Sequence, residues 1–347
     1  MGPALLAFFL CPINKEIPNK IRIMASNEFD LIARYFEHQN VNRRDVALAI
    51  GDDCALLNVP AGSHLAVSTD SLVAGTHFLA DADPALVAHK ALASNLSDLA
   101  AMGATPAWVS LALTMPTPDE VWLRRFCDGF FALADYFNVQ LIGGDTTKGP
   151  LSITLTVHGF VPEGQALTRS GANSGDWIYV TGQLGDSAAG LAVLLGEVTV
   201  ADEALKATLL ERHYKAQPRI LAGQALCGIA SSALDISDGL ISDLGHILKR
   251  SQLAATVDVD KLPLSAELLA FEPELEKAQQ LALASGEEYE LCFTVPEQNR
   301  GTLDTALAHT GVKATCIGQL RTGTGIKLMR RDELLEWQLH GYDHFAE

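Results

Sequence analysis

The 347-residue chain reads as an α/β protein, α+β in its layering, with mixed sheets packed against helices in two domains. Three observations predict this. Apolar alternating runs and Ala- or Leu-rich helical runs follow one another along most of the chain, which is the pattern of layered helix and sheet. A Gly-, Ser- and Asn-rich stretch from Pro162 to Asp176 divides that pattern into two halves of similar layout. Length and a hydrophobic content of 48% suffice for two cores. The expected division is an extension over 1–25, an N-terminal domain over 26–162 and a C-terminal domain over 163–347.

The elements follow in order. His64 to Asp70 alternates as a strand and ends in polar residues. A helix is expected from Ala85 to Met102, since Asp83 is a suitable N-cap, Pro84 fits the first turn and Gly103 closes it. Trp108 to Thr114 reads as a strand and Asp119 to Phe137 as a long amphipathic helix. Val139 to Ile142 is expected to be a strand stopping at Gly143-Gly144-Asp145, and Ser152 to Val161 alternates as a sheet strand should. The second half restarts with a strand at Trp177–Thr181, followed by Gly182-Gln-Leu-Gly185-Asp186 and an Ala/Leu helix. Another helix is expected over Arg219–Ile229. Ala233 to Leu240 joins a short strand to a helix ending near Arg250. The runs Ala254–Val259, Gly286–Val295 and Thr315–Leu320 complete a second mixed sheet.

Charge and cysteine usage narrow the function. Lys+Arg of 25 against Asp+Glu of 42 gives 25 − 42 = −17, so a nucleic-acid partner is not expected, because phosphate backbones require a basic face. Six scattered cysteines with no CxxC pair fit reduced thiols of a cytoplasmic protein. Residues 4–11 are apolar, but no positive charge precedes them and no small-residue cleavage site follows, so a secretory signal is not expected. No apolar run approaches the ~20 residues that span a bilayer.

Five acidic clusters carry the chemistry: Gly51-Asp52-Asp53, Ser68-Thr69-Asp70, Asn95 to Asp98, Gly143-Gly144-Asp145 and Asp235-Ile236-Ser237-Asp238-Gly239. Asp52-Asp53 after Gly51 also suits an ordinary turn, and Asp70 at a strand end is equally open. Asn95 and Asp98 share one face of an otherwise apolar helix, which argues against a solvated surface. Two glycines before Asp145 fit either a turn or a close approach of backbone to phosphate. Asp235 and Asp238 precede a helix start, where backbone amides favour anions. Converging carboxylates repel by ~4 kcal/mol per pair at about 4 Å and an effective dielectric of 20. Magnesium resolves that repulsion, and it is usually shared between one or two carboxylates and a substrate phosphate. The clusters together point to a magnesium-nucleotide enzyme. There is no GxxxxGK[ST] loop, no protein-kinase HRD or DFG set, no GxSxG elbow and no His/Cys metal spacing. His77, in Gly75-Thr-His-Phe78, is either a second cleft residue near Asp70 or a structural histidine.

The strings IGDDCALL, STDSLVAGTHF, KALASNLSDLAAMGATP, LIGGDTTKGP, ALTRSGANSGDWIYVTGQLGDSAAGL, DISDGLISDLGHI and EEYELCFTV, in this order, resemble the thiamine-phosphate kinase family. That family belongs to the superfamily of aminoimidazole ribonucleotide synthetase, and the resemblance runs from about Ser26 to Phe345. It implies a homodimer whose N-terminal domains pair through their sheets, with ATP as co-substrate and several Mg2+ ions. The implied reaction is transfer of the γ-phosphoryl of ATP to thiamine monophosphate, without nucleic acid or membrane. Residue by residue, it implies Asp53, Asp70, Asp98, Asp145, Asp235 and Asp238 as metal ligands. Ser68, Thr69, Gly144, Arg169 and Ser237 match nucleotide positions, and His77, Glu287 and Tyr342 match positions for the thiamine phosphate. Glu288 stands where the family commonly carries Asp.

Overall fold

The computed structural model describes residues 28–342, so the extension expected over 1–25 lies outside the described residues. Along the chain the elements are α1 (Glu28–Tyr35), β1 (Val46–Leu48), β2 (Leu56–Leu57), β3 (Ser63–Val73), α2 (Pro84–Ala101), β4 (Thr105–Met115), α3 (Glu120–Tyr136), β5 (Gln140–Lys148) and β6 (Ser152–Pro162). After a linker come β7 (Trp177–Thr181), α4 (Asp186–Leu194), α5 (Glu203–Tyr214), α6 (Ile220–Leu226), β8 (Ser232–Asp235), α7 (Leu240–Ser251) and β9 (Ala254–Asp258). The chain closes with α8 (Ala266–Phe271), α9 (Leu275–Ala284), β10 (Leu291–Val295), α10 (Arg300–Leu307), β11 (Ala314–Arg321), β12 (Gly325–Arg330) and β13 (Glu333–Leu335).

The first half builds a four-stranded sheet in the order β3-β6-β4-β5, antiparallel except for the parallel pair β4/β5. The second half builds a seven-stranded sheet, β13-β12-β9-β11-β7-β10-β8, in which β12/β9 is the parallel pair. Both sheets are therefore mixed. No described helix is long and apolar enough to cross a membrane.

Helix α2 organises the molecule. Asp83 caps it by accepting the Ala85 amide at 3.0 Å, and Pro84 occupies the first turn, where its missing N–H costs nothing. Leu92, Leu96 and Leu99 are fully or almost fully buried, each contributing about 2 kcal/mol by the area removed from water. The helix packs on β3 and β6 through one side, on α3 through another, and on α6 and β8 of the second half through a third. A Cβ at Gly223 of α6 would lie 1.9 Å from the Ala100 carbonyl oxygen, so glycine is what allows this approach. The two halves consequently share one apolar core, with Leu96 and Phe126 continuous with Ile220, Leu226 and Phe293.

The strand expected to stop at Gly143 instead continues as β5 to Lys148, hydrogen-bonded to β4 through Leu111↔Gly144 and Ala112↔Asp145. Pairing overrides the local turn preference of Gly-Gly-Asp. A Cβ at Gly144 would meet the Leu111 carbonyl oxygen at 1.8 Å, so the glycine serves the approach of two strands. Gly286 to Glu290, expected to lead into a strand, is a loop before β10, with positive φ at Glu287 (61°) and Tyr289 (51°).

Candidate functional site

A cleft of about 950 Å³ opens where the two halves meet. One lobe is acidic. Strand β3 places Ser68 and Asp70 on the sheet face that carries α2, because alternate residues of a strand point the same way. Ser68 Oγ donates to Asp98 Oδ2 at 2.5 Å, and the Asp70 amide donates to Asn95 Oδ1 at 3.2 Å, so β3 and α2 fix each other here. From the second half, Asp235 ends β8 and Ser237 and Asp238 follow it into the same lobe, facing Arg169 from the linker.

The loop Ile236–Gly239 is held by Asp243 of α7, whose carboxylate accepts the amides of Ser237 and Asp238 at 3.0 Å each. Sequence reading passed over Asp243, because an Asp in the first turn of a helix ordinarily serves the helix end. The signal available was its spacing, five residues after Asp238 on the side facing back along the loop.

The acidic lobe is electrostatically crowded. Burial, then the charges of Asp98 and Asp238, push the Asp70 carboxyl up to about 6. Burial and the Asp98 charge push Asp235 up to about 7. Asp98 is raised by burial, against the Ser68 hydrogen bond and the charge of Arg169. Burial also lifts Asp243 to about 7. Five carboxylates from both halves, Asp70, Asp98, Asp235, Asp238 and Asp243, are thus linked by pairwise repulsion. Among the described residues, however, no three His, Cys, Asp or Glu side chains converge tightly enough to enclose an ion by themselves. That combination suits a cation completed by water and phosphate oxygens, which needs only one or two protein carboxylates.

The other lobe is partly aliphatic. His77, Ser187, His213 and Glu287 line it with Leu191 of α4 and Leu195 just past its end, which stand 37% and 50% exposed. Glu287 is paired with buried Lys90 at 2.7 Å, so it presents an acceptor whose charge is largely balanced. Tyr342 closes the rim, its amide donating to the Asp238 carbonyl at 2.9 Å.

Ten of the fourteen residues named from the sequence therefore line one cleft: Ser68, Asp70, His77, Asp98, Arg169, Asp235, Ser237, Asp238, Glu287 and Tyr342. Asp53, Thr69, Gly144 and Asp145 are outside that lining. Asp53 sits exposed in the β1–β2 turn, where its amide donates to Asp52 Oδ1 at 2.9 Å. Thr69 lies on the opposite sheet face, its hydroxyl 2.9 Å from that of Thr156. Asp145 shares that face, aligned through Ala112 and Thr154 with Ser71.

Comparison with known proteins sharpens this picture. Residues 51–161 match the N-terminal domain, and residues 173–330 the C-terminal domain, of the AIR synthase related proteins. The thiamine-monophosphate kinase of Escherichia coli K12 is 60% identical over 324 residues, which is 93% of this chain and 99% of that protein. The thiamine-monophosphate kinase of Bacillus subtilis is 34% identical over 92% of this chain and 99% of its own length. Among solved structures, the thiamine-monophosphate kinase of Stenotrophomonas maltophilia superposes with a TM-score of 0.78 at 44% identity, covering 83% of this chain and 92% of that one. AaThiL, complexed with AMPPCP and TMP, superposes at 0.72 with 31% identity over 94% of this chain and 99% of its own. The hydrogenase maturation protein HypE of Escherichia coli shares the fold, with a TM-score of 0.72 at 19% identity, over 92% of this chain and 97% of that one. With identity at this level over nearly the full length, the chain belongs to the thiamine-monophosphate kinase family and carries both domains of the AIR synthase related proteins.

Proposed function

We propose that this protein transfers the γ-phosphoryl group of ATP to thiamine monophosphate, giving thiamine diphosphate and ADP. The observation that carries the reading is the two-lobed cleft, with mutually repelling carboxylates from both halves beside Arg169 and an aliphatic lobe holding His77 and Glu287. In this reading the acidic lobe takes the nucleotide phosphates and the aliphatic lobe takes the thiamine portion. The binding of AMPPCP and TMP by the relative AaThiL supports a site for both substrates.

Asp70, Asp98, Asp235 and Asp238 are the residues that would hold magnesium, with Asp53 and Asp145 assigned to the set by family resemblance. Magnesium supplies charge neutralisation of the phosphates when bound. The chain itself aligns the partners. Arg169 offers a planar, permanently charged donor to phosphate oxygens, and Ser68, Thr69, Gly144 and Ser237 complete the assigned nucleotide contacts. Tyr342 offers a ring face to the cationic thiazolium. The acceptor phosphate is already largely ionised near neutral pH, its second pKa being about 6, so no protein base is required. We assign direct in-line transfer without a phosphoenzyme, in which alignment and charge complementarity do most of the work.

We further propose a homodimer, with domains over 26–162 and 163–347, that joins through the outer face of the four-stranded sheet. Leu65, Val67 and Val73 stand 40%, 54% and 37% exposed on that face of β3, an apolar row that pairing with a second copy removes from water.

The decisive assay incubates purified protein with MgATP and thiamine monophosphate and follows thiamine diphosphate and ADP together. Equimolar products that disappear with EDTA are expected, with sequential kinetics. MgATP binding without either product refutes the kinase reading, and ping-pong kinetics or a trapped phospho-residue refutes direct transfer.

A further inference from the structure

Lys90 lies on α2 and is 1% exposed. An ammonium group has three protons to donate and accepts nothing. Here all three directions are met by different elements: the His77 carbonyl oxygen at 2.9 Å, Glu287 Oε1 at 2.7 Å and His213 Nε2 at 3.2 Å. Two of these partners are the very residues assigned to the substrate, one from each half of the molecule.

The third partner extends the chain of contacts. Burial and the Lys90 charge pull the His213 imidazolium down to about 4, so the ring is neutral near pH 7. Since Lys90 can only donate, His213 Nε2 accepts and Nδ1 carries the proton, which it donates to Ser187 Oγ at 3.1 Å. Ser187, at the start of α4, lines the same lobe. Glu287 is also held by its backbone, its amide donating to the Ser237 carbonyl at 2.8 Å with φ at 61°. A residue in that conformation stays there only when its surroundings over-determine it.

We infer that Lys90 is a positioning residue of the thiamine lobe, setting the spacing of His77 and Glu287 across the domain junction, with Glu287 Oε1 on Lys90 and Oε2 facing His213 Nδ1 at 3.8 Å. This rests on the kinase reading proposed above. A stabilising ion pair alone is the competing account. The two differ in what they predict for the individual substrates, because the acidic lobe where ATP is assigned does not include Lys90.

The test is a kinetic cycle of wild type, Lys90→Met, Glu287→Gln and the double variant, each with MgATP and thiamine monophosphate. Lys90→Met is expected to raise KM for thiamine monophosphate by about tenfold to a hundredfold, the loss typical of a charged hydrogen bond, with KM for ATP within about twofold. In the Glu287→Gln background the same change is expected to move KM for thiamine monophosphate by less than about twofold, because Lys90 acts through that carboxylate. The double variant carries no orphaned buried charge, and where Lys90→Met does not fold, Lys90→Arg, which keeps the charge but changes its donor geometry, takes its place with the same expected and refuting outcomes. An equal effect in both backgrounds, an equal rise for both substrates, or an unchanged KM for thiamine monophosphate overturns the inference. A wild-type chain inactive on thiamine monophosphate overturns the kinase reading itself and this inference with it, which the variants do not affect.

Discussion

Glu288 is a carboxyl that the fold keeps neutral, and its removal should make the protein less sensitive to rising pH. Its Oε1 accepts the Gly185 amide at 2.8 Å and the Ser285 hydroxyl at 2.9 Å. Burial, only partly offset by these hydrogen bonds, pushes it from an ordinary 4.5 up to about 8. The folded state therefore holds a proton that the unfolded state releases between those values. Stability from this group is complete below about pH 4.5 and is lost as pH rises to about 8, at about 1.4 kcal/mol per pH unit. The whole span is worth at most about 5 kcal/mol, and about 3 kcal/mol is already lost by pH 7. In Glu288→Gln the side-chain carbonyl can accept the same two donors, while the titrating proton is gone. Urea unfolding of both proteins between about pH 5 and pH 8 measures the difference, in which other titrating groups such as Asp235 and Asp243 cancel. The variant should gain on the wild type by roughly 1 kcal/mol or more per pH unit. A difference that is flat with pH, or that shrinks as pH rises, would show that Glu288 is not buried as a neutral acid.

Two further perturbations address the proposed site and assembly. Asp145→Asn should nearly abolish phosphoryl transfer while leaving the melting temperature almost unchanged, because the residue is exposed and the substitution conserves shape; wild-type turnover removes Asp145 from the metal set. Val67→Lys places a charge in the apolar row of the outer sheet face and should convert a dimer to monomers in sedimentation. An unaltered dimer moves the interface elsewhere.

Much of this fold was readable from local signals. Asp83-Pro84 and Gly103 bracket α2 because capping and the left-handed turn at Gly103 (φ 69°) are decided within a few residues. The continuation of β5 past Gly143 was not readable, since it depends on pairing with β4. Helix α5 was missed as well: only Leu209, His213 and Tyr214 are buried, too few for a clear apolar stripe. In the site, the clustered aspartates announced the acidic lobe. Lys90 gave no such announcement, because a lysine in a helix ordinarily reads as solvated. Its one signal was position, three residues from Val87 and from Ala93 on a face otherwise given to the core. The separation of Asp145 from Asp70 by the thickness of a sheet is a matter of strand parity, which no spacing in the sequence reveals.

Strand β3 has no spare side. Ser68 and Asp70 serve the cleft, while Val67 and Thr69 alternate with them on the opposite surface. A strand with one solvated side can drift by a residue at moderate cost, but here a slip by one position would exchange the two sets and spoil both surfaces together. Insertions and deletions within Ser63–Val73 should therefore be poorly tolerated, whereas changes of length between Pro162 and Trp177 leave this parity untouched.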